Sequence, residues 1–348
     1  MSAYDRIAEL SVTIESVDRR RYTGATTSGF ERTTTEFRLA GDGVIGRGED
    51  VTYETEDHAS LVGTDPIDIE GEWTLAELSA RLDEEDLFAH EPPAREYSRN
   101  YRRWAVESAA LDLALRQRDE SLGECLGIEP DPVRFVVSTR LGEPPTTDRV
   151  EELLELDDEL EFKLDPTPDW PEEAFVTLRE TDAVRILDLK GWYEGTDVDV
   201  EADPELYRDV FAAFPAAVVE DAAFTPATRP LVEPQADRLS FDYPIDGVES
   251  LESLPVDPGH CNIKPSRFGT LESLFETIAY CRDEGIEMYG GGQFELASGR
   301  TAVQTLAALF YPDAPNDVAP RQFNDPEASP PYPMSPIRPD RTAVGFEF

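Results

Sequence analysis

The sequence predicts an α+β domain followed by a parallel (β/α) barrel, and three observations carry that reading. The first part of the chain reads as strands and then helices without alternation, which marks an α+β unit. From Val133 onward, short apolar runs are each followed by an amphipathic stretch, the βαβα pattern of a parallel sheet. The charged or Gly-rich ends of these runs fall at Lys163, Asp188, Glu220, Asp242, Lys264 and Gly290, at spacings of 25, 32, 22, 22 and 26 residues. An eight-unit barrel of about 200 to 250 residues needs roughly 25 to 31 per unit.

In chain order, Ile7 to Arg21 alternates as a strand, and Arg32 to Leu39, Gly41-Asp42-Gly43 and Val44 to Tyr53 read as a hairpin. Between them Tyr22 to Phe30 (YTGATTSGF) reads as a polar loop. A helix is expected near Thr74 to Leu82. A longer one runs from Asn100 to Arg118, where Trp104, Ala105, Ser108, Ala109, Leu111, Asp112 and Leu115 keep helical spacing. The barrel runs are VRFVVS, LEFKLD, AVRILDLK, AAVVED, RLSFD, HCNIKP and IEMYGGG, with an eighth expected near Asp317 to Ala319. Pro326 to Pro339 reads as extended, and Thr342 to Phe348 as a final strand returning to the first domain. The expected domains are residues 1–128, joined by 326–348, and 129–325.

The 348 residues suffice for a large and a smaller domain. With 74 acidic against 31 basic residues, the net charge is −43 and the pI about 4.2. Repulsion excludes nucleic acid and anionic membranes as partners. Forty per cent hydrophobic residues argue for a globular fold rather than disorder. So much like charge needs screening, so a halophilic protein of a high-salt cytoplasm is expected. Cys125, Cys261 and Cys281 lack metal-ligand spacing and read as buried free thiols. MSAYDRIAEL has no apolar signal region and no run of about 18 apolar residues occurs, so a cytoplasmic, soluble protein is expected.

Barrel active sites lie at the C-terminal ends of the strands. Asp188, Glu220 and Asp242 end three successive runs, and three carboxylates with open positions suit Mg²⁺ or Mn²⁺. The lysines are more telling. The chain has 28 Arg but only three Lys, and Lys163, Lys190 and Lys264 each end an apolar run. Arg stays protonated, whereas a buried Lys can lose its proton and act as a base. The competing reading makes them ion-pair partners of the carboxylates. Gln293 and Glu295 follow the Gly290-Gly291-Gly292 turn, where backbone can approach a ligand. Arg267 could meet a substrate anion or a barrel carboxylate. His58, His90 and His260 read as structural.

The ordered set FKLD, DLK, VVED, SFDYP, NIKPSRFG and GGGQFELASGR resembles the barrel strands of the muconate-lactonizing subgroup of the enolase superfamily. NIKPSRFG and GGGQFELASGR are most similar to the o-succinylbenzoate synthase and N-succinylamino acid racemase branch, here as an acidic member of haloarchaeal type. GRGED and RRWAVESAALDLALRQRDESLGECLG are similar to the capping domain's hairpin and long helix. The resemblance implies an α+β capping domain on a modified TIM barrel, (β/α)7β-like. It implies Mg²⁺ on Asp188, Glu220 and Asp242, a small carboxylate substrate on that ion, and Lys264 as the base for its α-proton. Tyr22 to Phe30 corresponds to the substrate-covering loop. A homo-oligomer is the expected assembly.

Two positions depart from the subgroup. Its Lys-x-Lys after the second barrel strand is Lys163-Leu164-Asp165 here, which puts Asp165 at the catalytic position. Its Asp-x-Asn after the third is Asp188-Leu189-Lys190. Lys190 should then face the metal site, as an acid or as an ammonium that makes a metal unnecessary. Racemisation needs a base on each face of the α-carbon and elimination needs one. A lyase is therefore expected, with Lys264 as base and Lys190 or Lys163 as acid or enolate stabiliser. A racemase, epimerase or cycloisomerase is the alternative outcome. The rival classes are a non-catalytic carboxylate-binding protein and a Schiff-base aldolase.

Overall fold

The computed structural model describes all residues except 1, 66, 90, 194 and 197, so the expectation for His90 lies outside the described residues. Ser2 caps the first helix, α1 (Ala3–Ala8): its hydroxyl accepts from the Asp5 N–H, while the Asp5 carboxylate accepts from the Ser2 N–H. This capping box turns Ile7 and Ala8, expected in a strand, into the buried face of a helix. Strand structure begins only at β1 (Ser11–Ile14) and β2 (Ser16–Ala25). β2 outruns its expected end because Tyr22 to Ala25 pair with Thr34 to Glu31 of β3 (Glu31–Gly41), shortening the loop to residues 26–30.

β4 (Val44–Asp50) follows a turn in which Asp42 and Gly43 both take positive φ, 52° and 77°, as a two-residue hairpin turn requires. Then come α2 (Thr55–Ala59), β5 (Gly71–Thr74), antiparallel to β1, and α3 (Leu75–Asp83), capped by Thr74 and Glu77. The long helix α4 (Ser98–Gln117) lies directly on β4. A Cβ at Gly46 would fall 2.2 Å from the Ala109 carbonyl, and one at Gly48 2.1 Å from that of Ala105. The Gly-Arg-Gly stretch is what allows this close approach.

After α5 (Leu122–Leu126) the barrel proceeds as β6 (Val137–Thr139), α6 (Asp148–Leu156), β7 (Phe162–Leu164), α7 (Glu172–Thr181), β8 (Val184–Asp188), α8 (Pro204–Ala213), β9 (Val218–Glu220), α9 (Arg229–Val232), β10 (Leu239–Phe241), α10 (Val248–Glu252), β11 (His260–Ile263), α11 (Pro265–Phe268), α12 (Leu271–Glu284), β12 (Glu287–Gly290) and α13 (Gly299–Phe310). Strands β6 to β12 form one parallel sheet in sequence order. The eighth segment is two isolated bridges rather than a strand: Val136 N–H donates to Asn316 O and Asp317 N–H to Gly290 O, both at 2.8 Å. These bonds join β12 to the start of the first barrel run and close the barrel.

The segment from Thr342 to Phe348 makes no strand. It meets the N-terminal elements through one bridge, Ser121 to Gly345, and through Phe346 N–H on Asp112 Oδ1 at 2.7 Å. Gly345, at φ 91°, breaks the extended run. Across the barrel mouth, Glu49 of β4 accepts N–H bonds from Leu296, Ala297 and Gly299. Arg32 of β3 donates to the Gln293 carbonyl. The hairpin is thereby fixed over the strand ends. Cys261 and Cys281 are buried as expected, while Cys125 is partly exposed. No described helix is long and apolar enough to cross a membrane.

Candidate active site

The parallel register sets Asp188 beside Glu220 at the C-terminal strand ends, and each expected carboxylate meets a cation there. Lys163 Nζ lies 2.5 Å from Glu220 Oε1, 3.5 Å from Asp188 Oδ2 and 3.4 Å from Asp317 Oδ2. Lys190 Nζ contacts Asp188 Oδ2 and stands 3.8 Å from Asp165, which also binds Arg140 at 3.1 Å. Lys264 Nζ lies 2.7 Å from Asp242 Oδ2, and Arg267 Nε 2.7 Å from Asp242 Oδ1. Burial alone would raise the carboxyl pKa values, but Lys190 and Lys163 hold Asp188 well below the carboxylate range, and Arg267 and Lys264 do the same for Asp242. Burial likewise disfavours the Lys163 ammonium. Glu220, Asp188 and Asp317 outweigh it and hold that pKa well above the ordinary lysine value.

One cavity of about 190 Å³ opens at this mouth, and all three lysines of the chain line it. Arg267, Arg300, Gln293, Asp165 and Asp317 line it too, with Phe30 and Phe294 packed edge to face at 5.3 Å above. Asp188, Glu220 and Asp242 are fully buried beneath and do not reach the lining. The face offered to a ligand is therefore cationic in a protein of net charge −43. Glu295 does not line the cavity; it binds Arg300 at 2.9 Å and the Gln293 N–H at 2.5 Å. Gly291 holds a close approach, since a Cβ there would fall 2.3 Å from Asn262 Oδ1 and 2.7 Å from Lys264 Cε. His58 is buried in bonds to Thr35 and the Thr52 carbonyl, and His260 stands 3.6 Å from Glu287, both away from this mouth.

Several residues at the site were not singled out in the sequence. Tyr193 donates to Asp242 at 2.8 Å from the turn after β8. Tyr289 and Asn262 donate to Glu220 Oε2, the latter at 3.1 Å. Asn262 precedes Lys264 by two and Tyr289 precedes the glycines, so strand alternation offered a signal for both. Asp221, next to Glu220, accepts from the Asp242 and Tyr243 N–H groups at 3.0 and 3.1 Å. Burial and then the neighbouring carboxylates push its pKa well above the usual range.

Carboxylate oxygens of Asp188, Glu220 and Asp221 lie within 4.8 Å of one another, a spacing at which a cation could sit. Asp242 is outside that trio and faces Lys264, Arg267 and Tyr193 instead. Asp188 already accepts from both the ammonium and the N–H of Lys190, and Glu220 from Lys163, Asn262 and Tyr289. A divalent ion among these oxygens would lie against two ammonium groups in a low-dielectric interior. In this arrangement the donor set does not fit such an ion.

In fold the chain is similar to solved enolase superfamily proteins. A solved unknown member of the enolase superfamily from Enterococcus faecalis V583 matches with TM-score 0.64, 16% identity, 91% of this chain and 89% of that chain. A dipeptide epimerase from Methylococcus capsulatus complexed with Mg ion matches with TM-score 0.66, 20% identity, 87% of this chain and 89% of that one. Muconate cycloisomerase from Pseudomonas fluorescens matches with TM-score 0.65, 17% identity, 88% of this chain and 87% of that one. No curated protein matches the sequence. Residues 129–325 match the C-terminal domain, and residues 5–125 the N-terminal domain, of a family described as domain of unknown function DUF8230. The chain belongs to that family.

Proposed function

We propose that this protein is an enzyme that removes the α-proton of a small carboxylate substrate and stabilises the resulting enolate with fixed positive charge, elimination being the favoured outcome. The observation that carries this reading is that all three lysines of a chain otherwise furnished with arginine line one cavity. An enolate forms only where preorganised positive charge meets the developing negative charge. The relatives in fold include an epimerase and a cycloisomerase, which supports proton abstraction as the shared step.

Lys264 is the base in this account. Glu220 depends on Lys163, and Asp188 on Lys190 with Lys163 farther off. Asp242 instead keeps Arg267 and the Tyr193 hydroxyl if Lys264 releases its proton. Deprotonating Lys264 thus leaves Asp242 a cationic partner, whereas deprotonating Lys163 leaves Glu220 only the neutral donors Asn262 and Tyr289. Lys163 and Lys190, held as ammonium, stabilise the enolate or protonate a leaving group. Asp165, engaged with Arg140, supplies no second base, which favours a lyase over a racemase. The same engagement favours carboxylate binding without turnover as the second reading. Incubation with succinylated amino acids and sugar acids in deuterated water separates the two: α-deuterium incorporation into any of them supports the enzyme, and binding without incorporation by every acid that binds would contradict it.

A further inference from the structure

The proposed function leaves open what plays the cation beneath the substrate. Lys190 follows β8 with φ 55°, a left-handed conformation that a lysine adopts only when its surroundings impose it. Two bonds do so here. The Lys190 N–H donates to Asp188 Oδ1 at 3.1 Å, and the next residue's N–H, Gly191, donates to the Asp221 carbonyl at 2.9 Å. The turn folds the side chain back so that its ammonium lies on Asp188 Oδ2, with the Tyr193 ring 5.0 Å away. Asp188 is wholly buried, and Lys190 reaches the cavity wall.

We infer that the Lys190 ammonium takes the place of a divalent cation on Asp188, so that this site works by fixed lysine charge and not by a bound metal. The inference rests on the reading of the cavity as a carboxylate site, and it explains three features together. The strand-end carboxylates are each matched by a cation from the chain itself. The trio of Asp188, Glu220 and Asp221 has Lys190 and Lys163 already set against its oxygens. The cavity wall, finally, presents all three ammonium groups, while Asp188, Glu220 and Asp242 stay buried beneath it.

The test is calorimetric titration of the chelator-treated protein with MgCl₂ and with MnCl₂ in molar KCl. It needs no substrate, so its outcome is separate from whether turnover exists. The wild type is expected to give no saturable binding, and Lys190→Asn, which removes the ammonium and adds an oxygen donor, is expected to bind one ion. Lys190→Gln serves as a second variant, with circular dichroism confirming the fold of each. Stoichiometric binding of one ion by the wild type would overturn the inference, as would failure of both folded variants to bind one.

Discussion

Lys163 of the second barrel strand and Glu220 of the fourth meet at 2.5 Å with neither side chain reaching more than 2% exposure. Removing one partner of such a pair strands the other charge in the interior. Lys163→Met should therefore destabilise the fold by about 3 to 5 kcal/mol, measured by chemical denaturation. A loss under 1 kcal/mol would show that Glu220 does not depend on this ammonium.

The pair Asp50 and Arg102 makes the same case outside the cavity lining, at 2.9 Å and with side-chain exposures of 0% and 1%. Arg102 also binds the carbonyls of Leu87 and Asp57 and covers the Phe88 ring. Asp50→Ala should cost about 3 to 5 kcal/mol while leaving ligand binding in the surviving folded fraction unchanged.

Stability should fall in acid. The folded-state pKa values of Asp188 and Asp242 lie below their unfolded values, so each contributes stability that is present above about pH 4 and lost as pH falls through the folded pKa. Lys163, shifted upward, contributes below about pH 10 and loses its contribution only as pH rises beyond that. Glu220, pushed up to about 7 by burial, and Asp221, also shifted upward by burial, oppose folding once ionised. Denaturation midpoints in molar KCl should therefore decline from about pH 4 towards neutrality as well as drop below pH 4, and Asp242→Asn should flatten the acid drop. An unchanged acid slope in the variant would contradict the assignment.

The fold should need salt. A net charge of −43 repels itself, and at 1 M salt the Debye length shrinks to about 3 Å. The melting temperature should fall as KCl is removed; one that holds from molar to millimolar salt would contradict this.

The barrel was legible because its buried parallel strands are near-continuous apolar runs ending in charge, as in AVRILDLK and AAVVED. The first strand was misplaced because alternation at Ile7 competed with a capping box at Ser2 and Asp5, and the local bonds won. In the site, scarcity made Lys163, Lys190 and Lys264 visible, since a chain with three lysines places each with consequence. Tyr193, Asp221 and Asp317 stayed hidden: they act from turns and from the closing segment, where no periodicity marks a side chain's direction.

The central claim is that Lys264 takes the α-proton. On whichever acid the wild type exchanges with solvent deuterium, Lys264→Arg keeps a cation against Asp242 but cannot readily deprotonate. The account predicts that exchange, followed by proton NMR, falls at least about 100-fold in this variant. Exchange within a few-fold of the wild-type rate would contradict it and move the base to Lys163 or Lys190.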